Sequence, residues 1–151
     1  MARMHSRRKG ISGSTRPFRT DAPSWVSLTE EEAADIIMKL HGQGKSTAVI
    51  GLILRDSYGI PDVKKVYGKS ITAILTEKGI TFKLPEDLEN LMRKAIIINE
   101  HIKLNRKDVH NKRNFHLTEA KIRRLEKYYK STGVIAPTWS YSIAKAKLLV
   151  E

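Results

Sequence analysis

Between Asn99 and Lys130 the chain runs NEHIKLNRKDVHNKRNFHLTEAKIRRLEKYYK, which gathers a His–Asp combination, two further His, several Asn and a dense set of cations. A His and an Asp can do the acid and base work of a nuclease. Here His101 and Asp108 stand seven residues apart with no acidic cluster for a metal beside them, so binding is the more economical chemistry. Residues 93–130 hold twelve Lys/Arg against four Asp/Glu, which is eight of the chain's net +12. A field of that density attracts a polyanion and releases its counterions. The plainer alternative is a solvated face on a helical hairpin, but helices that need only solubility mix both signs of charge. A nucleic acid is therefore the expected partner.

The elements that must position these side chains are legible from apolar spacing. Phe115, Thr118, Ile122, Leu125 and Tyr129 recur at intervals of three and four, defining one buried stripe on a helix. Leu88, Leu91, Met92, Ala95, Ile98 and Ile102 repeat in the same way upstream. Two long helices are thus expected to pack antiparallel around a short connection near Asn105 to Asp108. A different face of the second helix carries His110, Arg113, Lys121, Arg124 and Tyr128, and is polar, cationic and aromatic together. Asp108 is placed to cap that helix, while His101 falls in the last turn of the first, from which its ring can reach Asp108. A capping Asp and a surface His are ordinary structural features. Their neighbours Lys107, His110, Asn111, Lys112 and Arg113 favour an RNA-reading loop instead. Lys107, Lys112, Arg113, Lys121 and Arg123 would grip phosphates, while His101, Asp108 and Asn111 would supply discrimination.

The remainder reads as all-α. Thr29 followed by Glu30, Glu31 and Glu32 starts a helix that Gly42 stops. Ser46 opens another with Val49, Ile50, Ile53 and Leu54 inward, Pro61-Asp62 starts a short one to Tyr67, and Ser70 caps a fourth that ends at Gly79. A brief terminal helix is expected over 142–150, with Ile143, Ala146 and Leu149 inward. Residues 1–20 hold six Lys/Arg and no acid, Arg3, Arg7, Arg8 and Lys9 among them, and too little apolar surface to fold alone. The expected organisation is an extended basic arm over 1–24, a small helical domain over 25–80, the hairpin over 81–132 and a tail over 133–151. Trp25 is expected to anchor the end of the arm.

Several functions are disfavoured by composition. The 151 residues include no Cys, which excludes disulfides and thiolate metal sites, and the three His of the hairpin offer no i, i+4 pair for zinc. The longest apolar run is Ala48 to Leu54, against the roughly 20 residues needed to span a bilayer. No signal peptide is expected, since the basic N-terminus has no apolar segment behind it. Gly42-Gln43-Gly44-Lys45-Ser46-Thr47 imitates the end of a phosphate-binding loop, but Lys39 occupies the first required Gly position and a helix precedes it. Helices over 46–57 and 61–67, joined through Gly59, read as a helix-turn-helix, so a DNA-binding regulator is the alternative function.

The run His101…Arg106-Lys107-Asp108-x-His110-Asn111-Lys112-Arg113…Arg123-Arg124-Leu125…Tyr128 resembles the signature of the universal small-subunit ribosomal protein family S-fifteen. Arg3-Met4-His5, Gly10-x-Ser12-x-Ser14, Pro17-x-Arg19, Pro23-x-Trp25 and Gly51-x-Ile53-Leu54-Arg55-Asp56-Ser57-x-Gly59 resemble its archaeal and eukaryotic type. The resemblance implies a cytoplasmic, non-enzymatic constituent of the small ribosomal subunit, without cofactor, small-molecule substrate or membrane. It would hold a three-way helical junction in the central domain of small-subunit rRNA, beside neighbouring ribosomal proteins, and aid platform assembly. By position, the resemblance assigns minor-groove reading to His101, Asp108 and Asn111 and the junction grip to Arg124 and Tyr128. Asn111 stands where bacterial members usually have Ser, and Asn105 where many have His.

Overall fold

The computed structural model describes residues 23–150. Most of the expected arm, with Arg3, Arg7, Arg8 and Lys9, lies outside the described residues. Seven helices and no strand occur among those described, so the fold class is all-α as the periodicity predicts. They fall into two compact units, residues 23–83 and residues 84–150.

The first unit contains α1 (Glu30–Gly42), α2 (Thr47–Ser57), α3 (Val63–Tyr67) and α4 (Ile71–Glu77). Each start is set by a short polar side chain that accepts a free N–H of the first turn. Thr29 and Glu32 form a reciprocal capping box, with the Thr29 N–H donating to Glu32 Oε2 at 2.9 Å. Ser46, Asp62 and Ser70 cap the next three helices. The left-handed glycine Gly68, at φ 76°, terminates α3. Ala33, Ile37, Ile50, Leu54, Ile60 and Leu75 form the centre of one aliphatic core. Burying each large aliphatic side chain contributes about 1.5–3 kcal/mol. Val49, expected inward, is 40% exposed: Ile50 and Leu54, four apart, take the inward positions. Trp25 is 59% exposed and is held by its indole N–H, which donates to the Gly59 carbonyl at 3.0 Å.

The second unit is built on α5 (Glu86–Leu104) and α6 (Val109–Ser131), joined by Asn105–Asp108. The two helices run antiparallel, as contacts at both ends require. The Tyr129 hydroxyl near the end of α6 donates to Asp87 at the start of α5, at 2.7 and 2.8 Å to the two carboxylate oxygens. At the other end His101 meets Asp108. Leu88, Met92, Ala95 and Ile122 are fully buried between the helices, with Phe115, Leu125 and Tyr129 packed around them. The tail joins this core: α7 (Ile143–Val150) packs on α5 through Ala146, with Ile135, Trp139 and Tyr141 in the same cluster. Because α5 is covered by α6 and α7, its buried arc is wider than one stripe, and Ile96 is buried at 8% exposure. In α7 the inward side chains are Ile143, Ala146 and Val150, so Leu149, expected inward, turns out to 43% exposure.

Candidate nucleic-acid interface

The tip of the α5–α6 hairpin holds a polar cluster whose parts arrive by local rules. The carboxylate of Asp108 caps α6, accepting the Asn111 backbone N–H through Oδ1 at 2.9 Å. Its other oxygen accepts His101 Nε2 at 2.9 Å and Asn111 Nδ2 at 2.7 Å. With three donors converging on it, Asp108 is held well below the usual carboxylate range, the Asn111 backbone N–H being the main cause and His101 the next. The structure thus joins His101, Asp108 and Asn111. It adds Asn105, which the site assignment from sequence omitted. Asn105 Nδ2 donates to the His101 carbonyl at 3.1 Å and lies 3.4 Å from His101 Nδ1. The available signal was its place four residues after His101, one helical turn on.

Around the cluster, Lys107, His110, Lys112 and Arg113 are exposed, and Lys121, Arg123, Arg124 and Tyr128 continue the exposed surface along α6. None of these six Lys/Arg makes an ion pair with an acid among the described residues. Arg124 instead donates Nε to the Ala120 carbonyl one turn back at 3.2 Å, which holds its guanidinium along the helix. Tyr128 is 58% exposed and braced edge-on by Tyr129, with ring centroids 5.2 Å apart and planes at 63°. A braced aromatic ring among uncompensated cations suits a sugar–phosphate surface, because the cations attract it and the ring offers a stacking face. Leu104 and Val109 flank the tip at 86% and 72% exposure.

The competing sites are less well built. Helix α3 has only five residues, and Lys64 and Lys65 are its cations, which leaves little to read a DNA groove. The Gly42–Thr47 segment links α1 to α2, so a helix stands where a phosphate-binding loop requires a strand. Among the described residues no helix is long and apolar enough to cross a membrane.

A family model for the ribosomal S13/S15 N-terminal domain matches residues 1–60, and one for ribosomal protein S15 matches residues 71–149. The chain belongs to the ribosomal protein S15 family. It is 52% identical to the small ribosomal subunit protein uS15 of Methanocella arvoryzae, over 100% of this chain and 99% of that one. Identity is 51% to uS15 of Methanococcus vannielii over the full length of both chains, and 49% to that of Methanococcoides burtonii over 99% of both. The S15 match begins at Ile71 and so takes in α4 from the first unit, and it runs on through the hairpin unit from Leu84 to Leu149.

Proposed function

We propose that this S15-family chain is a structural constituent of the small ribosomal subunit and that the α5–α6 hairpin is its rRNA-binding element. The observation that carries this is the exposed face of Lys107, Lys112, Arg113, Lys121, Arg123 and Arg124, with no acid paired to it among the described residues. The relatives' name, small ribosomal subunit protein, supplies the assembly in which such a face has its ligand. The long cations grip phosphates and set the register, while the short polar side chains of the tip reach the wide minor groove of A-form RNA. The target is a three-way junction in the central domain of small-subunit rRNA, held so that neighbouring ribosomal proteins can assemble on it in the cytoplasm. The role is architectural, and no step at the tip makes or breaks a covalent bond. Arg3, Arg7, Arg8 and Lys9, outside the described residues, add contacts to RNA in the complete subunit.

Titration of the protein against the junction fragment, an unrelated RNA duplex and duplex DNA tests this. The junction should bind tightest, and comparable affinity for duplex DNA would return the helix-turn-helix alternative. Arg124→Ala should lower the slope of log affinity against log salt by about 0.7–0.9. An unchanged slope would remove Arg124 from the phosphate contacts. Deleting residues 1–20 should leave junction affinity intact and reduce incorporation into subunits, measured by co-sedimentation.

A further inference from the structure

Helix α2 is apolar on more than the face it gives to the core. From Ala48 to Leu54 it carries no polar side chain. Ile50 and Leu54 are fully buried, yet Leu52 stands 49% exposed on another side of the same helix. A helix that is hydrophobic all round is ordinarily covered all round. Along that second side runs an open groove of about 530 Å³, between α2 and the starts of α3 and α4. Gly51, Leu52, Ile60, Val63 and Ile71 give it apolar walls. Its depth depends on Gly51, because a Cβ there would already stand 3.4 Å from Ile71 Cδ1 and a longer side chain would take up the space. Sites of roughly 300–1,000 Å³ hold ligands of drug size, so an aromatic side chain with its flanking backbone fits this one.

Pro23, the first described residue, is itself part of the groove's lining, so residues 1–22 depart from the groove's edge. Among those residues Phe18 is the sole Phe, Tyr or Trp. It precedes Pro23 by five positions, a span of at most about 17 Å in extended backbone. The rise of α2 from Thr47 to Arg55, both of which line the groove, is about 12 Å. The segment is therefore long enough to run along the helix. Pro17 has a fixed φ and no N–H, and it biases Arg16 toward extended backbone, which suits a segment laid in a groove. With four residues between Phe18 and Pro23, the tether holds the ring at an effective concentration on the order of mM, which a free partner or a second copy has to exceed. We propose that the groove is the seat of this chain's own residues 17–22, with the Phe18 ring inserted against Leu52 and Ile71. The basic segment with Arg3, Arg7, Arg8, Lys9 and Arg16 then departs from the side of α2 rather than from Trp25. This inference stands apart from what the hairpin binds.

The test is methyl NMR of the full chain, with Ile and Leu methyls labelled and Phe rings the only protonated aromatics. The chain has three Phe, and Phe18→Ala identifies the cross-peaks that belong to Phe18. Wild-type protein should show cross-peaks from the Phe18 ring to Leu52 and Ile71 methyls and an upfield ring-current shift of both, and Phe18→Ala should lose them. Gly51→Leu fills the groove with a better helix former and should also abolish the Phe18 cross-peaks, while unshifted Ile50 and Leu54 methyls report an intact core. If Gly51→Leu fails to fold, Phe18→Ala decides alone. Leu52 and Ile71 signals that Phe18→Ala leaves unchanged overturn the proposal. Survival of the cross-peaks in Gly51→Leu would place the ring outside the groove and overturn it too. Cross-peaks seen only between differently labelled chains mixed together would assign the groove to a second copy, with the same result.

Discussion

The two units share a construction and differ in how they distribute charge. Residues 23–83 hold eight Lys/Arg and seven Asp/Glu, and cations there meet acids: Lys69 reaches Glu30 and Glu77 at 3.0 Å each, and Arg55 pairs with Asp56 at 2.7 Å. Residues 84–150 hold fourteen Lys/Arg and seven Asp/Glu. Their ion pairs are Arg93–Glu89, Lys130–Glu126, Lys147–Glu100 and the His101–Asp108 contact, whereas Lys107, Lys112 and Arg113 of the tip and Lys121, Arg123 and Arg124 of α6 pair with no acid among the described residues. Exposed ion pairs contribute about 0–1 kcal/mol, so the pattern matters little for stability. What it changes is the field beyond the surface, which nearly cancels over one unit and accumulates over the other. Helix capping and aliphatic packing are common to both units, so the fold by itself does not mark the binding surface.

The strongest way to break this comparison is through the cores. Leu54→Ala and Ile122→Ala each empty a fully buried position, and each should cost about 2–5 kcal/mol of stability in urea or thermal unfolding. Hydrogen exchange should rise in α1–α4 for the first variant and in α5–α7 for the second, and only the second should weaken junction binding. Equal rises everywhere in both would mean that the two cores unfold as one.

Caps sharpen the contrast further. Asp108→Ala should weaken junction binding on the order of tenfold as well as loosening the first turn of α6, because the same carboxylate orients His101 and Asn111. If affinity for an unrelated duplex falls equally, Asp108 only supports the fold. Ser46→Ala removes the corresponding group from α2 and should cost about 1 kcal/mol with junction affinity unchanged.

The hairpin's two ends also differ in their response to pH. The folded pKa of Asp108 is depressed, so its contribution is complete above the unfolded carboxylate range and is lost as pH falls through the folded value. Tyr129 behaves oppositely. Burial and Asp87 push its pKa up to about 12 from 10.0, so its contribution is complete below pH 10 and is lost as pH rises toward 12. Unfolding followed from neutral to alkaline pH should show this loss in wild-type and a smaller one in Tyr129→Phe, where the Tyr141 hydroxyl, pushed up to about 12 by burial in the same core, still ionises. At neutral pH that variant should cost about 1 kcal/mol, the low end for a bond to a carboxylate because the site is open to water.

Sequence reasoning succeeded where the determining interactions are local. Thr29 with Glu32, Ser46 with Val49, Ser70 with Ala73 and Asp108 with Asn111 each close within three residues, so type and spacing alone mark the helix starts. His101 with Asp108 is nearly as local, since a short connection leaves two residues at the ends of successive helices little choice but to face each other. The reading weakened where one helix has two neighbours. A single apolar stripe on α5 left out Ile96, and Val49 and Leu149 were assigned inward one residue away from the side chains that pack. Hydrophobic periodicity defines a face to within about a hundred degrees, and the packing partner chooses among the residues at its edge.

Residue types and their spacing were enough for the all-α class, the cap of nearly every helix, the hairpin and the concentration of positive charge on it, because each depends on neighbours a few residues apart or on composition alone. Packing in three dimensions was needed to bring the tail onto α5, Tyr129 to Asp87 across 42 residues, and Asn105 and Asn111 to either side of the His101–Asp108 pair. Those arrangements depend on which faces meet and at what distance. A hydrogen-bond donor is committed only when the acceptor is in place, so the atom left over for a ligand is known only after the rest of the cluster has closed.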